Sequence, residues 1–324
     1  MGTEITYVNT VERCAIDVLT VGEPIICLDT GGTRLDEATD LHVSLGGAEC
    51  NVAIGLARLG HRTAIIGRVG SDPFGRFVRR RLLAEQVDVS RLAVDDVAPT
   101  ALLFKETTYL GAEVHYRRAG AAGAQISATE VSEAMSDGVR CVHVTGVTAA
   151  LGAGPRDAVA SLMEQGRSAG ARVSFDANFR HKLATPDELV AMFHLLCPMA
   201  DDLLLGWGEA SLLAGDSSEE SIRSLAESLQ RPCVVVKRPA GGALCLASGE
   251  WYAHDAEPVH VVDPVGAGDG FAVGFLHERL RGSNVRAALA RGVSIAARVI
   301  AVRGDNAGLP YEAELDDVGV GVVR

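Results

Sequence analysis

The residues of this chain best suited by type and spacing to do chemistry lie at positions 263–276, Asp-Pro-Val-Gly-Ala-Gly-Asp-Gly-Phe-Ala-Val-Gly-Phe-Leu. Pro264 halts regular structure, Gly266 and Gly268 free the backbone, and Phe271 and Phe275 stand four residues apart. A loop therefore opens a helix here. The first N–H groups of a helix have no partners within it, and the dipole leaves partial positive charge at that end. The amides of Gly266, Ala267 and Gly268 can thus cradle an anion. Asp269 would repel that anion if it faced it. A chemical role for it therefore turns it toward a hydroxyl, as a general base beside an anion hole, which suits phosphoryl transfer to an alcohol. An aspartate at a helix opening is also an ordinary cap, and spacing alone leaves both readings open.

The elements that must position these residues follow from periodicity. Residues 18–22 predict a buried strand ending at Glu23-Pro24, and residues 25–45 alternate apolar and polar residues between turn clusters, which predicts short strands. Gly46-Gly47 then opens a helix with Val52, Leu56 and Leu59 on one face, stopped by Gly60. Those glycines admit a ligand close to the backbone, and Asn51 offers the donor and acceptor that adjacent sugar hydroxyls require. A glycine turn before an ordinary helical Asn fits the same residues. A strand at 63–69 and a helix after Asp72-Pro73 come next. The Arg79-Arg80-Arg81 run on that helix points in three directions, which makes a solvated face rather than a nucleic-acid patch. Residues 101–107 and 112–118 predict a hairpin around Leu110-Gly111, with His115 and Arg117 on one face of its second strand and Tyr116 and Arg118 on the other. From Cys141 onward, apolar runs at 141–146, 173–176, 203–205 and 233–237 alternate with helical stretches near 156–168, 188–197 and 220–229. That series implies a parallel sheet covered on both faces, with ligands at the carboxyl ends of its strands, where Asp176-Ala177-Asn178-Phe179-Arg180 falls. A hairpin around Ser248-Gly249 and an alanine-rich helix at 285–302 flank the 263–276 stretch.

The 263–276 stretch and residues 46–60 resemble, in order and more than 200 residues apart, the second and first signatures of the ribokinase-like PfkB carbohydrate kinases. The resemblance implies a three-layer αβα sandwich with a mostly parallel central sheet. It gives residues 1–24, 46–98 and 119–324 to the catalytic core and residues 25–45 and 99–118 to a small β-sheet lid. It further implies ATP and Mg²⁺ as cofactors, with Asp269 as the base and Gly266, Ala267 and Gly268 as the anion hole. Gly46, Gly47 and Asn51 would contact the sugar, and Lys237 and Gly242 the nucleotide, with Pro239 where a glycine is usual. Glu209, in a Gly206-Trp207-Gly208-Glu209 segment that lacks the usual Asn, would serve Mg²⁺ through water, and Asp263 a monovalent cation such as K⁺. The aromatic-x-Arg step His115-x-Arg117 before Gly120-Ala121-Ala122 is similar to the lid of 2-keto-3-deoxygluconate kinases, which points to His115, Arg117 and Arg180 around a sugar-acid carboxylate. His115 and Leu103 stand where tyrosines are expected. Fructokinase, ribokinase and nucleoside kinase are the alternatives within the family, and a lid of this kind admits a homodimer.

Composition narrows the remaining classes. The 324 residues are 48% hydrophobic with a net charge of −12, so a core can be filled and no basic surface favours nucleic acid. The seven cysteines are scattered among apolar neighbours with no Cys-x-x-Cys pair, as in reduced cytoplasmic proteins. No apolar run is long enough to span a membrane, and no signal-peptide layout is present. Met1-Gly2 with Thr6 matches only the short myristoylation pattern. A non-catalytic sugar or nucleotide sensor would have no need of Asp269 and its hole. A dinucleotide oxidoreductase would need a further spaced glycine after the first strand.

Overall fold

The computed structural model describes residues 16–108, 111–132, 134–135 and 138–315. The beginning of the expected core, with its Met1-Gly2 pattern, and Leu110 at the expected hairpin turn lie outside the described residues.

Two sheets organise the chain. The first half supplies β1 (Ile16–Val21), β2 (Ile25–Asp29), β3 (His42–Gly46), α1 (Ala48–Arg58), β4 (Thr63–Gly70), α2 (Pro73–Ala84), β5 (Leu92–Asp95), β6 (Ala101–Thr108) and β7 (Gly111–Arg117). Strand and helix then alternate through β8 (Val139–Thr145), α3 (Gly146–Ala149), α4 (Ala153–Ser168), β9 (Arg172–Asp176), α5 (Pro186–Leu196), β10 (Asp202–Gly206), α6 (Trp207–Ala214) and α7 (Glu219–Ser228). The chain continues with β11 (Cys233–Arg238), β12 (Gly242–Ala247), β13 (Glu250–His254), α8 (Ala267–Leu280) and α9 (Val285–Ile300).

The larger sheet runs β13-β12-β11-β10-β9-β8-β1-β4-β5 and is parallel apart from β12 and β13, which pair antiparallel at one edge. Its central strands are apolar throughout because helices cover both faces. One core joins α1, α2, α8 and α9 to one face of the sheet, and the other joins α4, α5, α6 and α7 to the opposite face. This is the expected three-layer ribokinase-like sandwich. Local sequence sets the helix starts: Asp72 caps α2 by accepting from the Gly75 amide at 2.8 Å with Pro73 behind it, and Thr185 and Glu188 cap α5 reciprocally. Helices α8 and α9 pack so closely that a Cβ on Gly274 would lie 2.4 Å from the Arg291 carbonyl oxygen.

The smaller sheet has the order β3-β2-β6-β7, built from the two separated segments the sequence marked out. Its inward face carries Ile25, Cys27, Ala101 and Leu103, which form a third, small core. Across β6 and β7, Leu103 is opposite Tyr116 and Lys105 opposite Val114. Three elements went unanticipated, one of them the single turn of α3 that follows β8. Strand β5 is a half-exposed edge strand of four residues, and α6 starts with glycines on either side of Trp207 that read as loop. Among the described residues no helix is long and apolar enough to cross a membrane, and the six described cysteines are buried and unbridged.

Candidate active site

A cleft of about 1370 Å³ lies between the carboxyl ends of the central strands and the smaller sheet, with the start of α8 on its floor. Gly266 caps α8 with φ +84°, a left-handed conformation that glycine adopts without strain, and a Cβ there would lie 2.4 Å from the Asp305 carbonyl oxygen. The amides of Gly266, Ala267 and Gly268 therefore open onto the cleft, which all three residues line.

Asp269 lies in the first turn of α8, only 8% exposed, and its Oδ2 accepts from Asn51 Nδ2 at 2.8 Å. The two signatures meet at this bond, 218 residues apart in sequence. Asn51 is itself fixed, since its Oδ1 accepts from Asn306 Nδ2 at 3.2 Å and that same amide donates to the Leu45 carbonyl at 2.8 Å. The Asn51 amide must then present its donor to Asp269. Burial pushes the Asp269 carboxyl up to about 7. The Asn51 hydrogen bond and the nearby charges of Arg180 and Lys237 hold it down, and the Asp176 carboxylate adds to the rise. A carboxyl poised near neutrality is suited to take a proton and give it back.

On the other side of the hole, Lys237 at the end of β11 donates to Asp176 Oδ2 at 2.6 Å. Burial opposes its charge, yet Asp176 and Glu209 together hold it above the ordinary lysine range. Glu209 is engaged at both oxygens, accepting from the Phe179 amide at 2.8 Å and the Gly206 amide at 2.6 Å. Burial and the Asp176 charge push its carboxyl up. Asp176 Oδ1 is buried with no hydrogen-bond partner among the described residues. That orphaned oxygen, beside Glu209 on the cleft wall, fits a hydrated divalent ion. Pro239 and Gly242 line the same end, and Ala296, Ala297 and Ile300 of α9 give it an apolar wall.

The end of the cleft to which the sequence assigns the sugar departs from expectation. Gly47, Asn51 and Arg180 line it, whereas Gly46 is buried just behind. His115 and Arg117 do not line the cleft, and Arg117 is exposed, bonding to the Tyr116 carbonyl. Tyr116 and Arg118 line it instead, because the pairing of Leu103 with Tyr116 turns the even-numbered face of β7 inward. Arg118 is paired with the buried Glu23. Asp305, also on the cleft wall, keeps Oδ1 without a partner among the described residues, and burial pushes its carboxyl up to about 6. No spacing in the sequence marked Asp305. Its only advance signal is a carboxylate in a loop that follows the helix bordering the hole. Asp263 does not fit a monovalent cation. Its carboxylate takes the Lys105 ammonium together with the Val265 and Gly304 amides, so donors fill it.

The family model for pfkB family carbohydrate kinases matches residues 15–312. The chain belongs to the pfkB family of carbohydrate kinases. It is 35% identical to the 2-dehydro-3-deoxygluconokinase of Bacillus subtilis (strain 168), over 93% of this chain and 94% of that one. It is 33% identical to the enzyme of the same name from Thermoproteus tenax, over 94% of each. Among solved structures it superposes on a PfkB protein from Polaromonas sp. JS666 with a TM-score of 0.85 at 36% identity, covering 93% of this chain and 99% of that one. It also superposes on a fructokinase double mutant from Vibrio cholerae O395, bound to fructose, ADP and potassium ion, with a TM-score of 0.81 at 26% identity, covering 93% and 97%. This sugar kinase therefore carries both family signatures in one cleft, facing each other across the Asn51–Asp269 bond.

Proposed function

We propose that this kinase transfers the γ-phosphoryl group of ATP to the 6-hydroxyl of 2-keto-3-deoxygluconate, a sugar acid, with Asp269 as general base. The observation that carries the reading is the buried Asp269 carboxylate, oriented by Asn51 and adjoining the amides of residues 266–268 at the opening of α8. Asp269 removes the hydroxyl proton, the freed oxygen bonds to the γ-phosphorus, and the bond to ADP breaks. The amides at the helix opening stabilise charge on the phosphoryl oxygens in flight. Lys237 meets the nucleotide phosphates from the β11 side. Asp176 and Glu209 would hold Mg²⁺ through water, and the ion when bound neutralises charge between phosphates. The smaller sheet acts as a lid that keeps water from the phosphoryl group, with Leu103 and Tyr116 as its apolar and aromatic inner surface.

Support for an acid acceptor comes from Arg180 on the cleft wall and from the named activity of the relatives in Bacillus and Thermoproteus. A guanidinium fork matches a carboxylate with two parallel hydrogen bonds. Leu41, just before β3, and Val43 on it are exposed beside an edge that no other described strand pairs with, which a second copy of the chain would cover. The deciding experiment is kcat/KM by coupled ADP release for 2-keto-3-deoxygluconate, fructose, ribose and a nucleoside. Preference for the sugar acid supports the reading, and clear preference for a neutral acceptor overturns the acceptor class.

A further inference from the structure

Lys105 is the third inward-facing residue of β6 after Ala101 and Leu103, and a lysine on the core face of a strand is out of pattern. It is 1% exposed, among the largest fully buried side chains described. Its ammonium reaches out of the smaller sheet to the carboxylate of Asp263, which is 4% exposed and begins the loop leading to Gly266. The same Asp263 carboxylate accepts from the Val265 amide at 3.2 Å and from the Gly304 amide at 3.1 Å. It thereby ties together the loop before α8 and the loop after α9. Asp305 and Asp29 are buried nearby, close enough for the charges of Lys105, Asp263 and Asp29 to act on Asp305. One buried carboxylate, Asp263, thus pairs with the buried ammonium, and the charges of Asp305 and Asp29 lie within electrostatic reach of it. Removing the ammonium would leave the Asp263 carboxylate buried without its counter-charge.

We infer that Lys105 is a built-in cation, a tethered ammonium that does at the anion-hole loop what a bound monovalent ion would otherwise do, so that this kinase works without K⁺. Lys105 touches neither substrate nor phosphate and is a positioning residue. Its charge holds Asp263 and the Val265 amide in place, and through them the donors of residues 266–268. Because it sits on β6, it also fastens the lid sheet to the hole. The inference rests on the kinase reading for its link to rate, whereas its link to ion binding can be measured without any acceptor.

The test compares the full-length protein in KCl and in tetramethylammonium chloride at equal ionic strength, by melting temperature and by ADP release. The native protein is expected to show the same melting temperature and the same rate in both. A K⁺-specific rise in either overturns the inference. Lys105→Ala, which vacates the space of the ammonium beside Asp263, is expected to lose about tenfold or more in kcat without K⁺, and to regain melting temperature and rate with K⁺ or NH₄⁺ but not with tetramethylammonium. Lys105→Met fills the space without charge and is expected to stay slow in both salts. Full K⁺-free activity in either variant overturns the inference. If Lys105→Ala does not fold, the native comparison and Lys105→Met decide. A failed acceptor assignment would leave the melting-temperature result standing, which separates the two failures.

Discussion

Replacing Asn51 by Leu keeps the branched outline of the side chain and removes the one amide that, among the described residues, donates to Asp269 Oδ2, at 2.8 Å. The native carboxyl sits at about 7, with burial raising it and the Asn51 bond foremost among the groups lowering it. A hydrogen bond to a charged group contributes about 1.5–3 kcal/mol, and one pKa unit corresponds to about 1.36 kcal/mol. The variant carboxyl should therefore rise by about one to two units. At pH 7 the native base is about half ionised, so the variant loses about fivefold to fiftyfold in its ionised fraction. The assay is kcat/KM against pH by coupled ADP release, which reports the free enzyme. The acid limb should lie near 7 in the native protein and move to between about 8 and 9 in the variant, with much of the loss recovered at high pH. An acid limb that stays in place, or moves down, would refute the claim that Asn51 tunes the base. A uniform loss at every pH would assign Asn51 to the sugar alone.

Three further outcomes are expected. Gly266→Ala forces a side chain into a left-handed conformation 2.4 Å from the Asp305 carbonyl oxygen, so thermal melting should show a loss of about 1–3 kcal/mol or more. His61 Nε2 and His277 Nδ1 lie 2.9 Å apart, and burial holds both imidazoles below their ordinary value, His277 at about 4. The unfolded chain binds protons at these sites first as pH falls. Stability is therefore lost from about 6.5 down toward 4, and His277→Leu should flatten that part of the melting profile. Arg180→Met should lower kcat/KM for the sugar acid by about tenfold to a hundredfold and much less for fructose, because a charged pair is lost only with the acid.

The fold was largely legible because its signals are local. Pro264 and two glycines before the Phe271 and Phe275 period announce a loop-to-helix junction, and the apolar runs from Cys141 onward announce a parallel sheet. Strand β5 escaped because a four-residue edge strand buries only Leu92 fully and leaves no alternation to see. Period two sorted β7 into His115 with Arg117 and Tyr116 with Arg118, but which pair faces the cleft depends on the register with β6, a pairing between strands that one strand's sequence does not carry. Lys105 illustrates the same limit more sharply. A lysine reads as surface until its partner is known, and Asp263 lies 158 residues away. Asp305 is likewise placed by the approach of its backbone to Gly266 and not by any motif of its own.

The most direct measurement is Asp269→Asn, which keeps size and polarity while removing the base. Titrating ATP into the variant and timing ADP release with 2-keto-3-deoxygluconate should give nucleotide affinity close to native and kcat lower by about a hundredfold or more. Unchanged kcat in a folded, ATP-binding variant would contradict the role assigned to Asp269 and the chemistry built on it.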